Sequence, residues 1–332
     1  MSRKIITTIL FAHSLLFATH CNIPTLLLAP APTSTATLPV AFATTPEPTA
    51  TRTPRPTLTP PDAPGKIERD VTYCTIDGVV LKMDLYFPSP VAGKPLPVVI
   101  NLHGGSWSAG DKQNSDSAVD IPVLVERGYL VVGVNYRLAP AYRFPAQIQD
   151  AKCAVRFLRA NAAKYNLDVN RIGAWGCSAG GHLVSLLGVT DKSAGWDDVG
   201  EYKNESSRIQ AAVPLCAPSD LTLYDIITRA DMLKRVFGSE TGVNPSLLRA
   251  SPITFVTKDD PPFLIFQGDK DNVISLKHGA ELYAKLIAAG VSAKLVTVKN
   301  GTHCLPPEPG LSPTREEISQ MIADFFDQTL RR

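Results

Sequence analysis

From Val71 onward, apolar and polar positions follow two rhythms. Val71–Thr75 and Val79–Phe87 alternate with a period of two around Asp77-Gly78, a dipeptide suited to a tight hairpin turn. Then come short, nearly continuous apolar runs at Leu96–Leu102, Tyr129–Asn135, Arg171–Gly176, Ala211–Cys216, Phe263–Gln267 and Lys294–Val298. Such runs suit strands covered on both faces. Between them lie stretches with helical spacing. Pro145–Tyr165 puts Ile148, Ala151, Val155 and Leu158 on one face, and Gly181–Leu187, Leu276–Ala289 and Glu316–Leu330 read as helices too. Strands alternating with helices predict the α/β class, with a mostly parallel sheet flanked by helices. Residues 191–262 are the least regular and sit where a small cap or lid inserts. There is no internal repeat.

The chain before this pattern has a different character. Ser2-Arg3-Lys4 precedes an apolar run from Ile5 to Phe17, too short to span a bilayer and shaped like an export signal. We read residues 1–23 as that signal. Cys21 leaves two readings open: a lipidated cysteine that tethers the protein to a membrane, or an incidental thiol, since His20 stands where a small residue precedes a lipidated cysteine. Residues 24–64 hold 11 Pro and 11 Thr in 41 positions. Proline removes amide donors and favours extended chain, so 24–65 reads as a linker and 66–332 as the working domain. The expected location is secreted or cell-surface.

Composition narrows the function classes. The 332 residues are 44% hydrophobic and 19% charged, enough for a large core. Thirty-three basic against 31 acidic residues leave a net charge of +2, which gives no basic surplus for nucleic acid.

The chemistry gathers where predicted strands end. Gly176-Cys177-Ser178-Ala179-Gly180 follows the strand Ile172–Trp175 and opens a helix. A turn this tight needs small flanking residues and lifts Ser178 above the sheet edge. His103-Gly104-Gly105-Ser106-Trp107 follows the strand Val98–Leu102. Its glycines let backbone N–H groups approach a negative oxygen, so the amide of Gly105 or Ser106 pairs with that of Ala179 as an expected oxyanion hole. His103 reads as a buried brace for this loop. Downstream, Asp271 lies after the strand Phe263–Phe266, with Asp269 and the more distant Asp220 as competitors for the acid. His303 lies after the last strand and before the last helix, the position expected of the base. His182 and His278 read as packing or surface residues.

These residues resemble the α/β-hydrolase superfamily. Its carboxylesterases are the nearest in pattern, in particular dienelactone-hydrolase-like feruloyl esterases and hormone-sensitive-lipase-like esterases. The resemblance covers about 70–330. It is carried by His103–Trp107, Asn135–Pro140, Phe144-Pro145-Ala146, Gly176–His182 and Gly268–Asp271. Ser106 stands where many lipase-like members have a third glycine, which is closer to the feruloyl-esterase pattern. The resemblance implies a serine carboxylic-ester hydrolase with Ser178 as nucleophile, His303 as base and Asp271 as acid, needing no cofactor and no metal. The expected partner is a small-molecule or polysaccharide-linked ester of short-acyl or aryl type, and not nucleic acid. A serine peptidase of the same fold, a long-chain lipase and a non-catalytic binding module are the alternatives. Trp196, Tyr202, Tyr224, Ile226, Ile227, Met232, Leu233 and Phe237 in 191–262 either form a lipase-type lid or pack ordinarily.

Six cysteines are too few for a disulfide scaffold, and no C-x₂-C spacing suggests zinc. Beyond Cys21, the count of five leaves at least one of Cys74, Cys153, Cys177, Cys216 and Cys304 unpaired. Cys153 and Cys177 read as buried thiols, and Cys304 as a candidate for pairing with a loop cysteine.

Overall fold

The computed structural model describes residues 65–89, 93–113, 121–223, 229–239 and 245–331. The export signal, Cys21, the linker up to residue 64, and Tyr224, Ile226 and Ile227 lie outside the described residues. The strands among the described residues are β1 (Ile67–Ile76), β2 (Val79–Tyr86), β3 (Leu96–Leu102), β4 (Leu130–Val134), β5 (Leu167–Cys177), β6 (Ala211–Leu215), β7 (Phe263–Gly268) and β8 (Ala293–Val298). They form one sheet in the order β1-β2-β4-β3-β5-β6-β7-β8. From β4 to β8 all neighbours are parallel. The β1–β2 hairpin adds antiparallel strands at one edge. Its turn is built as the sequence predicts, with positive φ at both Asp77 and Gly78 and Ile76 paired to Val79.

The helices are α1 (Ile121–Glu126), α2 (Ala146–Ala160), α3 (Ala162–Tyr165), α4 (Ala179–Val189), α5 (Ala230–Phe237), α6 (Pro245–Ala250), α7 (Leu276–Ala288) and α8 (Arg315–Leu330). The continuous apolar runs of β3, β4 and β7 are buried throughout because helices cover both faces of the sheet. Alternate residues go to opposite cores. Val98, Ile100 and Leu102 pack with Ile148 and Val155 of α2, Leu183 and Leu187 of α4, and Leu282 of α7. Val99 packs on the other side with Leu124 of α1 and Ile322 and Phe326 of α8. This is the α/β-hydrolase arrangement.

Two expectations need refinement. The helical stretch Pro145–Tyr165 breaks at Asn161 into α2 and α3, where the Asn161 side chain donates to the Phe157 carbonyl at 2.9 Å. The segment 191–262 is interrupted by β6, which is fully buried in the sheet. Within this segment, helices α5 and α6 follow β6.

Candidate active site

The parallel strands all point their C-terminal ends at one edge, and that edge gathers the chemistry-bearing residues. Gly176, near the end of β5, pairs with Leu102 and Pro214, and the chain turns sharply at the next step but one. Ser178 has φ 56° and ψ −120°, a conformation that costs a non-glycine residue energy and marks a constrained turn. Its amide donates to the Leu215 carbonyl at 3.0 Å, and its own carbonyl accepts from His182 at 2.9 Å as α4 begins. Gly180 must be glycine, because a Cβ there would run into the Leu102 carbonyl oxygen.

The loop after β3 curls beside this turn. Gly105 has φ +108°, and a Cβ on it would meet the Ala109 carbonyl. Its own carbonyl accepts from the amides of Ser108 and Ala109, both at 3.0 Å. Gly105 and Ser106 are exposed. Among the described residues, no acceptor takes the N–H of Gly105, Ser106 or Ala179. His103 is buried behind Gly104, its ring stacked on Tyr136 at 4.2 Å, and the Tyr136 hydroxyl donates to the His103 carbonyl at 2.8 Å. These contacts brace the loop. Trp107 is also buried, and its Nε1–H donates to Nδ1 of His182 at 3.2 Å. His182 then donates through Nε2 to the Ala250 carbonyl at 2.7 Å. Burial pushes His182 down to about 4, against the pull of that carbonyl, so it is a neutral packing residue. His278 is buried as well, and its Nδ1 accepts from the Ser219 amide at 3.1 Å.

Of the three candidate acids, only Asp271 meets His303. His303 Nδ1 lies 2.9 Å from Asp271 Oδ2. The other carboxylate oxygen accepts the amides of Val273 and Ile274, both at 2.9 Å, and Gln267 Nε2 donates to Oδ2 at 3.1 Å. Burial alone would raise this carboxyl. The hydrogen bond from His303, the two amides and the imidazole's charge outweigh it, and Asp271 sits below the usual carboxylate range. Asp269 is exposed, and Asp220 is occupied by Thr222, whose amide and hydroxyl donate to it at 2.8 and 2.6 Å. The acid loop and the His303 loop are also tied through their backbones, by Asp269 N–H to Val298 and Lys270 N–H to Gly301, both at 3.0 Å.

The cysteines correct the sequence reading. Cys177 is not a thiol but forms a disulfide with Cys304, with Cα atoms 5.7 Å apart. Cys153 likewise pairs with Cys74. Both pairings cross between elements distant in sequence, which spacing alone does not reveal. The first joins the residue before Ser178 to the residue after His303. Among the described residues, Cys216 is the free cysteine, buried just past β6. Its sulfur, an Asp271 oxygen and a His303 nitrogen lie within 4.8 Å of one another. Burial, then the Asp271 charge, push its thiol far up, so it stays protonated against the acid. Sequence reasoning did not place Cys216 or Gln267 here. Their one signal is position, at or just past the ends of β6 and β7.

A cavity of about 430 Å³ opens over Ser178, with Ser106, Trp107, Pro218, Met232 and Ile274 among its walls. A groove of about 600 Å³ lies at the opposite end of β7, against Lys294 and Phe325.

Residues 83–286 match the family model BD-FAE. The chain belongs to the BD-FAE family. Relatives of this BD-FAE chain include esterase LipC of Mycobacterium tuberculosis, 34% identical over 63% of the chain and 53% of the relative. Among solved structures, a carbohydrate esterase from gut microbiota is 27% identical with a TM-score of 0.68, covering 81% of this chain and 98% of that one. An acetyl ester-xyloside bifunctional hydrolase from Caldicellulosiruptor lactoaceticus is 25% identical with a TM-score of 0.64, covering 76% and 89%. The chain spans about half the length of the curated relatives it matches.

Proposed function

We propose that this BD-FAE protein is a serine carboxylic-ester hydrolase. One observation carries the reading: the His303–Asp271 pair, 2.9 Å apart, is bolted to the Ser178 turn by the Cys177–Cys304 disulfide. His303 donates Nδ1–H to Asp271, which leaves Nε2 as the base that takes the Ser178 hydroxyl proton. Ser178 Oγ attacks the ester carbonyl, and the tetrahedral oxygen is held by the amides of Ala179 and of Gly105 or Ser106. His303 passes its proton to the leaving alcohol. Water then attacks the acyl-enzyme with His303 again as base. Asp271 keeps the imidazole in the productive tautomer and stabilises the imidazolium.

The buried cluster around Trp107 favours short-acyl or small aryl esters. Trp107, on the cavity wall, meets His182 and Phe237 edge-on at 5.1 and 5.2 Å, so that wall is backed by closely packed rings, which supports a small acyl group. The printed activities of the solved relatives, a carbohydrate esterase and an acetyl ester-xyloside hydrolase, support an ester carried on a saccharide. Two disulfides and the leader sequence support an exported enzyme.

The test is hydrolysis of p-nitrophenyl esters from acetate to palmitate, with Ser178→Ala alongside. We expect greatest turnover at the acetate and butyrate end and none above background in the variant. Equal rates in the two proteins would overturn the assignment of Ser178. A maximum at palmitate would make the protein a lipase.

A further inference from the structure

Helix α5 turns Leu233, Val236 and Phe237 into the core and leaves Asp231, Met232 and Arg235 against the Ser178 cavity. Arg229, just before the helix, completes that wall. Its guanidinium is anchored, with Nη2 donating to the Val273 carbonyl at 2.9 Å, two residues past Asp271. Arg235 is exposed and makes no ion pair among the described residues, not even with Asp231 one turn earlier. The facing wall of Trp107, Pro218, Val273 and Ile274 carries no charge. Among the described residues, two guanidiniums and one carboxylate border the cavity, on a chain whose 33 basic residues are otherwise almost balanced by 31 acidic ones.

We propose that Arg235, with Arg229 beside it, binds a carboxylate on the substrate, so that the preferred ester carries an anionic group close to the bond that is cut. The inference rests on Ser178 being the nucleophile, because it fixes where that bond lies. A planar guanidinium fork matches a carboxylate in shape and charge, and the uncharged facing wall accommodates the apolar part of the same molecule. A cavity of about 430 Å³ holds a small acyl group and the first part of an alcohol, so the carboxylate is within reach from either side of the ester. At an exposed position the interaction is worth little more than a surface ion pair, which sets the scale at about a fivefold preference at low salt.

The test compares matched esters. Mono-4-nitrophenyl succinate against 4-nitrophenyl methyl succinate places the charge on the acyl side. 3-Acetoxybenzoate against its methyl ester places it on the alcohol side. We expect the anionic member of at least one pair to have the higher kcat/KM, and the pair that responds identifies the side. The ratio falls towards one in about 1 M salt, where screening acts over roughly 3 Å. Arg235→Ala removes the preference, Arg235→Glu reverses it and Arg235→Lys restores part of it. A ratio of one in both pairs, or a ratio that survives Arg235→Ala, overturns the proposal. Equilibrium binding of 3-acetoxybenzoate and mono-4-nitrophenyl succinate to Ser178→Ala keeps the two readings apart. Hydrolysis that does not depend on Ser178 defeats the nucleophile assignment. Binding that weakens when Arg235→Ala is added still supports the carboxylate site, and binding that does not weaken for either anion overturns it.

Discussion

At the scale of single residues, the acid is the sharpest case. Asp271 accepts at both oxygens, two amides on one and His303 with Gln267 on the other. An asparagine can keep its oxygen on the amides only by turning its NH₂ toward Gln267 and His303, donor against donors. His303 must then hold its proton on Nε2, where it cannot act as base. Asp271→Asn is therefore expected to lower kcat by on the order of 10³–10⁴. Asp269→Asn, at an exposed side chain, should cost less than about threefold. Measured kcat values in the reverse order would mean that another carboxylate orients the base. His182 gives a stability prediction. Its folded pKa of about 4 lies below its ordinary value of 6.5, so the unfolded chain binds the extra proton first as pH falls. Stability from this group is full above about 6.5 and is lost between there and about 4, on the order of 3 kcal/mol at most. Asp150, pushed up to about 6 by burial against the pull of Arg137, works in the opposite sense over the lower part of that range. Denaturant unfolding of wild type and His182→Gln between pH 4 and 7 isolates the histidine, because only the wild type should carry its share of the slope.

At the scale of elements, the sheet was legible because a strand buried on both faces is a run of apolar residues. The helices were legible where they are long. Helix α1 was missed because six residues with only Leu124 and Val125 buried carry too little period to register. The tight turn at Ser178 was legible from its glycines, since Gly180 is dictated by a local clash. The choice of Asp271 over Asp269 depends on which way a loop faces, and Arg229 and Arg235, just before and on α5, sit in a segment with no clear rhythm. The disulfide between the Ser178 turn and the His303 loop was legible only in part: Cys304 reads as a candidate for pairing, but its partner Cys177, 127 residues away, reads as a buried thiol. Yet it joins the neighbours of Ser178 and His303, the two residues whose distance governs proton transfer in the proposed mechanism. Without it, the His303 loop still keeps its backbone ties to the acid loop, so Asp271 and His303 stay paired while their placement over Ser178 loosens. Cys177→Ala combined with Cys304→Ala is expected to lower kcat by about 10- to 100-fold, the cost of a misplacement on the order of 1 Å. KM should change much less. An unchanged kcat for p-nitrophenyl acetate would mean that hydrogen bonds and packing alone hold the two loops in register.

At the scale of the whole molecule, the second disulfide has a different task. Cys74 lies on β1, the edge strand of the described sheet, which pairs there with β2. Cys153 lies in the middle of α2, buried against the centre of the sheet. The bond thus fastens the edge hairpin to the core over a separation of 79 residues. A crosslink of that span removes much of the unfolded chain's freedom and stabilises the fold by about 2–4 kcal/mol. Neither cysteine borders the Ser178 cavity, so this stability is separable from turnover. Cys74→Ala with Cys153→Ala should lower the unfolding free energy in urea by that amount, with a steeper slope because the uncrosslinked denatured chain exposes more surface, while kcat at 25 °C stays within about twofold. The two double-cysteine variants then form a crossed pair, one losing rate and the other losing stability. If the Cys74–Cys153 variant also lost rate in proportion, the hairpin edge and the catalytic edge would be mechanically coupled through α2 and β5, and the division of labour between the two bonds would not hold.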